Sequence, residues 1–164
     1  MPTSDPTDIL LAHDKWATQQ ILNACAALIP EKFHHRFEMG PGSLHDTTTH
    51  ILGAMGRWAD LLAGREMRLM PEGTDRTVPA LLTMLDEVHA DFVTHVKTHP
   101  LDGTVTRVRD GKSYTFTRGA VLTHVATHSM HHRAQCLNML RHLGVAPLPP
   151  SSVMEWTIMA DSKR

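Results

Sequence analysis

The sequence predicts an all-α fold in the form of a four-helix bundle. Four segments carry apolar residues at the three- and four-residue spacing of an amphipathic helix, and turn-forming residues separate them. Between the third and fourth segments, two short runs flank Asp110-Gly111, a dipeptide favoured in two-residue hairpin turns. With 164 residues, 41% of them hydrophobic, the chain is large enough to bury a core within one domain, predicted to span residues 1–164.

Residues that favour helix ends bound the first two predicted helices. The first helix runs from about Thr7 to Leu28 and is stopped by Pro30. The second runs from Thr47 to Gly64, and Ser43 before it stands in a sequence that resembles a capping box. Because the apolar residues of each segment share one face, each helix needs a partner to cover that face.

The third and fourth predicted helices have similar end signals. Thr77 can cap a third helix, which His99-Pro100 closes because the residue before a proline avoids the helical conformation. The fourth helix is predicted from about Gly119 to Leu143, and Gly144 is suited to the left-handed residue that ends many helices.

Two further segments are predicted to be short or extended. Residues Thr104–Arg109 and Lys112–Thr117 fit a short hairpin or another extended excursion better than a helix. The tail from Val145 to Pro150 is rich in proline and is expected to be extended. Residues Val153–Met159 carry enough apolar mass to pack back on the body.

Composition excludes several classes of protein. Sixteen Lys and Arg against 17 Asp and Glu give a net charge of −1, unlike a dedicated nucleic-acid binder. Uninterrupted apolar runs near 18 residues are absent, so a membrane protein is not predicted. Two cysteines, Cys25 and Cys136, are too few for a disulfide framework, and the N-terminus lacks the pattern of a secretory signal. We therefore expect a cytoplasmic protein.

Thirteen histidines are the unusual feature of the chain. The spacing His-x-x-x-His, which places two imidazoles one helical turn apart, occurs in His95/His99, His124/His128 and His128/His132. At this histidine content about one such pair is expected by chance, so a single match is weak. The group formed by His124, His128, His131 and His132 is harder to explain as ordinary core.

The spacing leaves several roles open for these histidines. His95 and His99 fit a solvated helix end, whereas His124 and His131 fit hydrogen-bonded neighbours of a site. The pair His128 and His132 could bind a metal or lie on a helix surface without function.

A mononuclear metal site would need a third ligand from another part of the chain. His50 is the best candidate because it borders the apolar stripe of the second predicted helix and points toward a helix–helix seam. His45 lies about 140° around that helix from His50 and cannot share its direction. His13 in the first helix fits a supporting or packing role.

The absence of two known sequence motifs excludes two classes of metal site. Neither pair in the fourth helix has the glutamate of the His-Glu-x-x-His metalloprotease motif, and the paired Glu-x-x-His motifs of carboxylate-bridged di-iron bundles are also missing. Three imidazoles leave two or three coordination positions for water or substrate, as in a reactive site. One divalent ion per chain is predicted, and Zn²⁺, Ni²⁺ and Fe²⁺ all suit these ligands.

Three blocks of the chain, in order, resemble the DinB-like (DinB/YfiT) family of metal-binding four-helix bundles. They are Ala12–Ala17, Ser43–Leu52 with the following Arg57-Trp58 and Leu61–Gly64, and Leu122–Gln135. The resemblance implies DinB/YfiT-like topology with long crossovers, and it makes His50, His128 and His132 the metal ligands. One departure is Ala134, which stands where the family often has glycine.

The resemblance also implies a function and an assembly. Similar proteins include enzymes that use a low-molecular-weight thiol, such as bacillithiol or mycothiol, in S-transfer or isomerisation, and many relatives are homodimers. The expected partner is therefore a small-molecule substrate, for which the resemblance makes a low-molecular-weight thiol the candidate.

Two alternatives to a thiol transferase stay open. A metal-dependent hydrolase would need a proton acceptor, for which Asp46, Asp14 and Glu155 are candidates. A stress-response bundle would bind metal without turnover. Beyond the three ligands, no catalytic residue is assigned from the sequence.

Overall fold

The computed structural model describes residues 4–161, and this part of the chain is mainly helical. Its elements are α1 (Pro6–Ala26), α2 (Pro30–Phe33), α3 (Leu44–Leu62), α4 (Val78–Lys97), β1 (Thr104–Arg109), β2 (Lys112–Thr117), α5 (Arg118–His142) and α6 (Val153–Asp161). The four helices predicted from apolar periodicity correspond to α1, α3, α4 and α5. The predicted helical character of the fold is confirmed.

Two helices in the structure were not predicted. Pro30, expected only to stop the first helix, also occupies the first position of α2. Proline is tolerated there because its missing N–H would have no partner in the first turn of a helix. Residues 153–161, expected only to pack back on the body, form α6, which contacts α1.

Each of the four long helices packs against two of the others. Helix α3 packs against α4 and α5, and α1 packs against the same two helices. The largest fully buried side chains between them include Ile21, Leu52, Leu85, Phe92 and Met139. Because α3 and α5 are direct neighbours, side chains on their facing surfaces can meet.

The helix ends follow the predicted signals. The Ser43 hydroxyl accepts a hydrogen bond from the Asp46 backbone N–H at 3.0 Å, and the Thr77 hydroxyl accepts one from the Ala80 N–H at 3.3 Å. Gly144 follows α5 with φ +83°, the left-handed conformation in which glycine meets no steric penalty.

Strands β1 and β2 pair antiparallel between α4 and α5. Asp110 and Gly111 connect them with φ of 51° and 72°, as a two-residue turn requires. Val105 pairs with Phe116, and both side chains pack against the hydrophobic core. The hairpin therefore lies against the helices at the start of α5.

A buried ion pair joins α1 to α5 beside the histidine-rich segment. The Arg133 Nη1 group donates to the Asp14 carboxylate, the Asp14 carbonyl oxygen and the Thr18 hydroxyl. The two charged side chains are only 4% and 6% exposed. Burial raises the pKa of the Asp14 carboxyl, and the Arg133 charge opposes that rise.

In the part of the chain that is described, none of the helices is both long and apolar enough to cross a bilayer.

Replacing Arg133 by Met is expected to lower the free energy of unfolding by about 3–5 kcal/mol, because the Asp14 carboxylate stays buried without its partner. Urea denaturation at pH 7 measures the change. Arg36→Met is the control, since Arg36 is 70% exposed in its ion pair with Asp46 and its loss should cost about 1 kcal/mol or less. The double variant Asp14→Leu/Arg133→Met should recover much of the lost free energy of unfolding. Equal decreases in this free energy for Arg133→Met and Arg36→Met would contradict the prediction.

Candidate metal centre

Three histidines from two helices converge on the facing surfaces of α3 and α5. His50 comes from α3, and His128 and His132 lie one turn apart on α5. One donor atom from each lies within 4.8 Å of the others, and all three residues are half-buried. Among the side chains that the structure describes, those of residues 4–159, this is the one such group of three or more His, Cys, Asp or Glu residues. We refer to His50, His128 and His132 as the histidine triad.

The spacing of the donor atoms fits a metal ion. The Nε2 atoms of His50 and His128 are 3.2 Å apart. Two imidazole nitrogens at about 2.0–2.1 Å from a tetrahedral ion would lie roughly 3.3–3.4 Å apart, close to the observed separation. The ring centroids of His132 are 4.7 Å from His50 and 4.5 Å from His128. The triad could thus hold a metal ion.

Hydrogen bonds at the far side of two rings orient them for this role. The His50 Nδ1 atom donates to Glu72 Oε1 at 3.1 Å, since a carboxylate only accepts. The His132 Nδ1 atom donates to Gln135 Oε1 at 2.8 Å, and the Gln135 amide donates to His131 Nε2 at 3.1 Å. Both bonds place the proton on Nδ1, which leaves the Nε2 lone pairs available for a metal.

Gln135 is itself held by the loop before α3. A Cβ atom on Gly40 would lie 2.2 Å from Gln135 Oε1, and Gly40 has φ +52°. A side chain at position 40 would therefore displace the amide and strain the backbone. The loop and α5 together fix the ring of His132.

The protonation of His128 and His132 favours metal binding near neutral pH. Burial, followed by the positive charges that neighbouring His132, His50 and His124 would carry, lowers the pKa of His128 to about 4. Burial also lowers the pKa of His132, although its hydrogen bond to Gln135 opposes this. Neutral imidazoles are the form that ligates a metal.

Two other histidines of α5, His124 and His131, lie beside the triad. The exposed His124 ring is 5.5 Å from the His128 ring and 4.9 Å from the Trp58 ring of α3. His131, also exposed, contacts His132 and Gln135. Neither belongs to the triad, in keeping with the neighbouring role that the sequence left open for them.

Histidines elsewhere in the chain have other partners. His45 is buried, contacts Asp46 through Nδ1, and accepts a hydrogen bond from the Arg76 backbone N–H at Nε2. His13 contacts the Ser151 carbonyl oxygen at 2.8 Å and packs near Trp16 and Trp156, so it joins α1 to the C-terminal segment.

The pair at the end of α4 is separate from the triad. His95 lies 3.2 Å from the Asp91 carboxylate, and His99 is exposed. The position of His99 agrees with the solvated helix end that was one interpretation of their spacing, whereas His95 is half-buried.

The three candidate proton acceptors are also engaged away from the triad. Asp14 pairs with Arg133, and Asp46 contacts His45 and Arg36. The Glu155 carboxylate accepts from the backbone N–H groups of Ser151 and Ser152 at the start of α6. These contacts give each carboxylate a structural role.

Glu72 is the site residue that sequence reasoning missed. It lies in the connection between α3 and α4, 22 positions after His50, where no helical periodicity relates the two residues. Gln135 had a usable signal, because a side chain three residues after His132 shares its helical face.

The chain belongs to the DinB family. The model of that family matches residues 1–159, which confirms the resemblance carried by the three sequence blocks. A comparison with curated proteins gave no match. Family and geometry thus agree on a helical protein with a histidine triad that could bind metal.

Removing either orienting group should weaken metal binding. Glu72→Leu and Gln135→Leu are each expected to raise the dissociation constant for Zn²⁺ or Ni²⁺ about 10–100-fold, because the ligating ring loses its fixed orientation. Competition with a chromophoric chelator measures this constant. Glu66→Leu, which replaces an exposed glutamate, is the matched control and should leave the affinity unchanged. Equal affinity in all three variants and the wild type would show that these contacts do not support the triad.

The metal-free protein should lose stability in acid partly through His128. Its folded pKa of about 4 lies below the ordinary value of 6.5, so the unfolded chain takes up the proton first as pH falls. The contribution of His128 is present above about pH 6.5 and is lost between 6.5 and 4. Urea midpoints at pH 7, 6 and 5 should therefore fall less steeply in His128→Gln than in the wild type, and parallel pH profiles would refute the assignment.

Proposed function

We propose that this DinB-family protein binds one divalent metal ion per chain through His50, His128 and His132. We further propose that it is a thiol-dependent S-transferase acting on small electrophiles. The observation that carries the proposal is the half-buried triad of three imidazole ligands from α3 and α5. Three protein ligands leave coordination positions for exchangeable groups, which distinguishes a reactive site from a closed structural one.

The chemistry of S-transfer suits this arrangement. When bound, a divalent ion lowers the pKa of a coordinated thiol and so supplies a thiolate at neutral pH. In the transfer, a carbon–sulfur bond forms to the electrophile, the bond to its leaving group breaks with the electron pair on that group, and the thiol proton passes to solvent. Glu72 and Gln135 hold the rings of His50 and His132 while this occurs.

The contacts of the acidic residues favour S-transfer over hydrolysis. A hydrolase would need a general base within hydrogen-bond reach of the attacking water. Asp14, Asp46 and Glu155 are bound to Arg133, His45 and the start of α6, respectively. Glu72 is already the acceptor for His50 Nδ1. A thiol depends less on such a base than water does, because its ordinary pKa is about 8.5 and that of bulk water is about 15.7.

The broader expectations of the sequence remain part of the proposal. The pairing of α1 and α3 with α4 and α5 supports one domain with a DinB-type four-helix bundle, and β1–β2 supports the expected hairpin excursion. The balanced charge supports a small-molecule partner and no nucleic acid. A cytoplasmic homodimer is proposed from the resemblance, and the exposed apolar side chains Met154 and Ile158 are compatible with it.

Elemental analysis of tag-free protein tests the metal site. Wild type should hold about one metal per chain, and His50→Ala, His128→Ala and His132→Ala should each lose it while circular dichroism shows an unchanged helical content. His99→Ala is the control, because this exposed histidine lies outside the triad. Metal that is absent from reconstituted wild type, or retained in all three variants, would exclude the site.

Activity separates a transferase from a bundle that only binds metal. Metal-loaded wild type, given a small thiol and an alkylating electrophile, should form thioether faster than protein stripped by a chelator. The His128→Ala variant should fall to the rate of the stripped protein. A large drop in melting temperature on chelation, with no thioether formed above background, would instead support the non-catalytic alternative.

A further inference from the structure

The hairpin turns one distinctive face toward the helices. Side chains on paired strands alternate between two faces, so the pairs Val105/Phe116, Arg107/Tyr114 and Arg109/Lys112 share one face. Val105 and Phe116 pack against the core, which identifies this face as the inner one. We call residues 105, 107, 109, 112, 114 and 116 the inner hairpin face. Its base is apolar, and its outer part is cationic and aromatic.

The cations of this face are available to a ligand. Arg107 lies over the Trp58 ring, with its Cζ 6.0 Å from the centroid, a distance suited to cation–π attraction. Among the described side chains of residues 4–159, neither Arg107 nor Lys112 has a carboxylate within ion-pair distance, and Arg109 has only the exposed Asp110 at 3.4 Å. The indole N–H of Trp58 also makes no hydrogen bond in this part of the chain. These groups are donors without acceptors.

A continuous run of rings connects the inner hairpin face to the triad. Phe116 lies 6.0 Å from Trp58, Trp58 lies 4.9 Å from His124, and His124 lies 5.5 Å from His128. His124 is exposed and Trp58 is half-buried, so the run lies at the surface. A ligand held at the triad can therefore extend along α3 and α5 as far as Arg107.

A second cation flanks the same path. Arg57 follows His50 by seven residues, so it lies two turns, or about 10 Å, further along the same face of α3. It is half-buried and has no ion-pair partner in the described chain. The carboxylate that contacts the triad, Glu72, is bonded to His50 itself. Positive charge thus lies at the hairpin end of the path.

We propose that the inner hairpin face recognises an anionic group on the ligand whose sulfur binds at the histidine triad. Arg107 is the principal contact, because a guanidinium can donate two parallel hydrogen bonds to a carboxylate or phosphate and is already held in place by Trp58. This inference rests on the proposed function and adds the substrate class. The ligand is a thiol that carries a carboxylate or phosphate remote from its sulfur.

The distances set the size of that thiol. The steps from His128 to His124, Trp58 and Arg107 are 5.5, 4.9 and 6.0 Å, and a direct path is shorter than their sum. An extended tripeptide spans about 10 Å. A cysteine-containing conjugate of tripeptide size therefore matches the length of this path better than a two- or three-carbon thiol, which spans only its first step.

Glutathione and its diethyl ester provide a matched pair of probes. Both present the same thiol on the same scaffold, but the ester lacks the carboxylates. Protein loaded with Co²⁺ is titrated with each probe, and the thiolate-to-metal absorption band reports binding. Wild type should bind glutathione about 10–100-fold more tightly than the diester, because hydrogen bonds to charged groups contribute to the difference. Arg107→Gln should remove most of this preference.

Arg141→Gln is the control for net charge. Arg141 is exposed near the C-terminal end of α5, roughly 35 Å along the helix from the hairpin, and its replacement changes the charge equally. This variant should keep the preference for glutathione. Cobalt content and circular dichroism should match in all three proteins.

The outcomes separate this inference from the proposed function. Failure of Co²⁺ to bind would contradict the metal site on which both depend. Bound cobalt with equal affinity for the two probes, or with no glutathione band, would overturn the anion-recognition proposal alone. If Arg107→Gln and Arg141→Gln lost the preference for glutathione equally, the preference would come from net charge. If Arg107→Gln weakened the binding of both probes equally, Arg107 would have a structural role. Either result overturns the proposal.

Discussion

The packing of α3 against α5 is the constraint on which the candidate site depends. Two of the three triad histidines lie one turn apart on α5, but a pair of imidazoles alone does not enclose an ion. The contact between these helices brings His50 Nε2 to 3.2 Å from His128 Nε2. Apolar burial along both helices supplies the energy for this approach, and the buried Arg133–Asp14 pair secures α5 to α1 beside His132.

Several segments of the chain surround the triad, and each supplies a different contact. The loop before α3, through Gly40, positions Gln135, and the connection between α3 and α4 supplies Glu72. The hairpin brings Arg107 and Phe116 to Trp58, at the other end of the ring path. Loops and the hairpin thus contact the triad or the rings beside it, while two helices carry the three candidate metal ligands. This arrangement is common in functional sites, because rigid elements preserve geometry and loops vary with the ligand.

Much of the site could be predicted because it follows helical periodicity. The i, i+4 spacing placed His128 and His132 together, and the apolar border of the second predicted helix selected His50. Gln135 could have been added from its position three residues after His132. Glu72 could not, because a loop has no period that relates its residues to a distant helix. The same lack of local signal hid α2, since Pro30 can follow one helix and begin another.

Amino-acid order alone was sufficient for the positions of the four long helices, their caps and the helical faces that carry the three candidate ligands, because these depend on interactions within a few residues. Tertiary structure decided which faces meet. It placed Asp14, Asp46 and Glu155 in structural contacts rather than at the triad, and it brought Glu72, Trp58 and Arg107 around the site. Those contacts join residues far apart in the chain, so they exist only after long-range packing has brought the segments together.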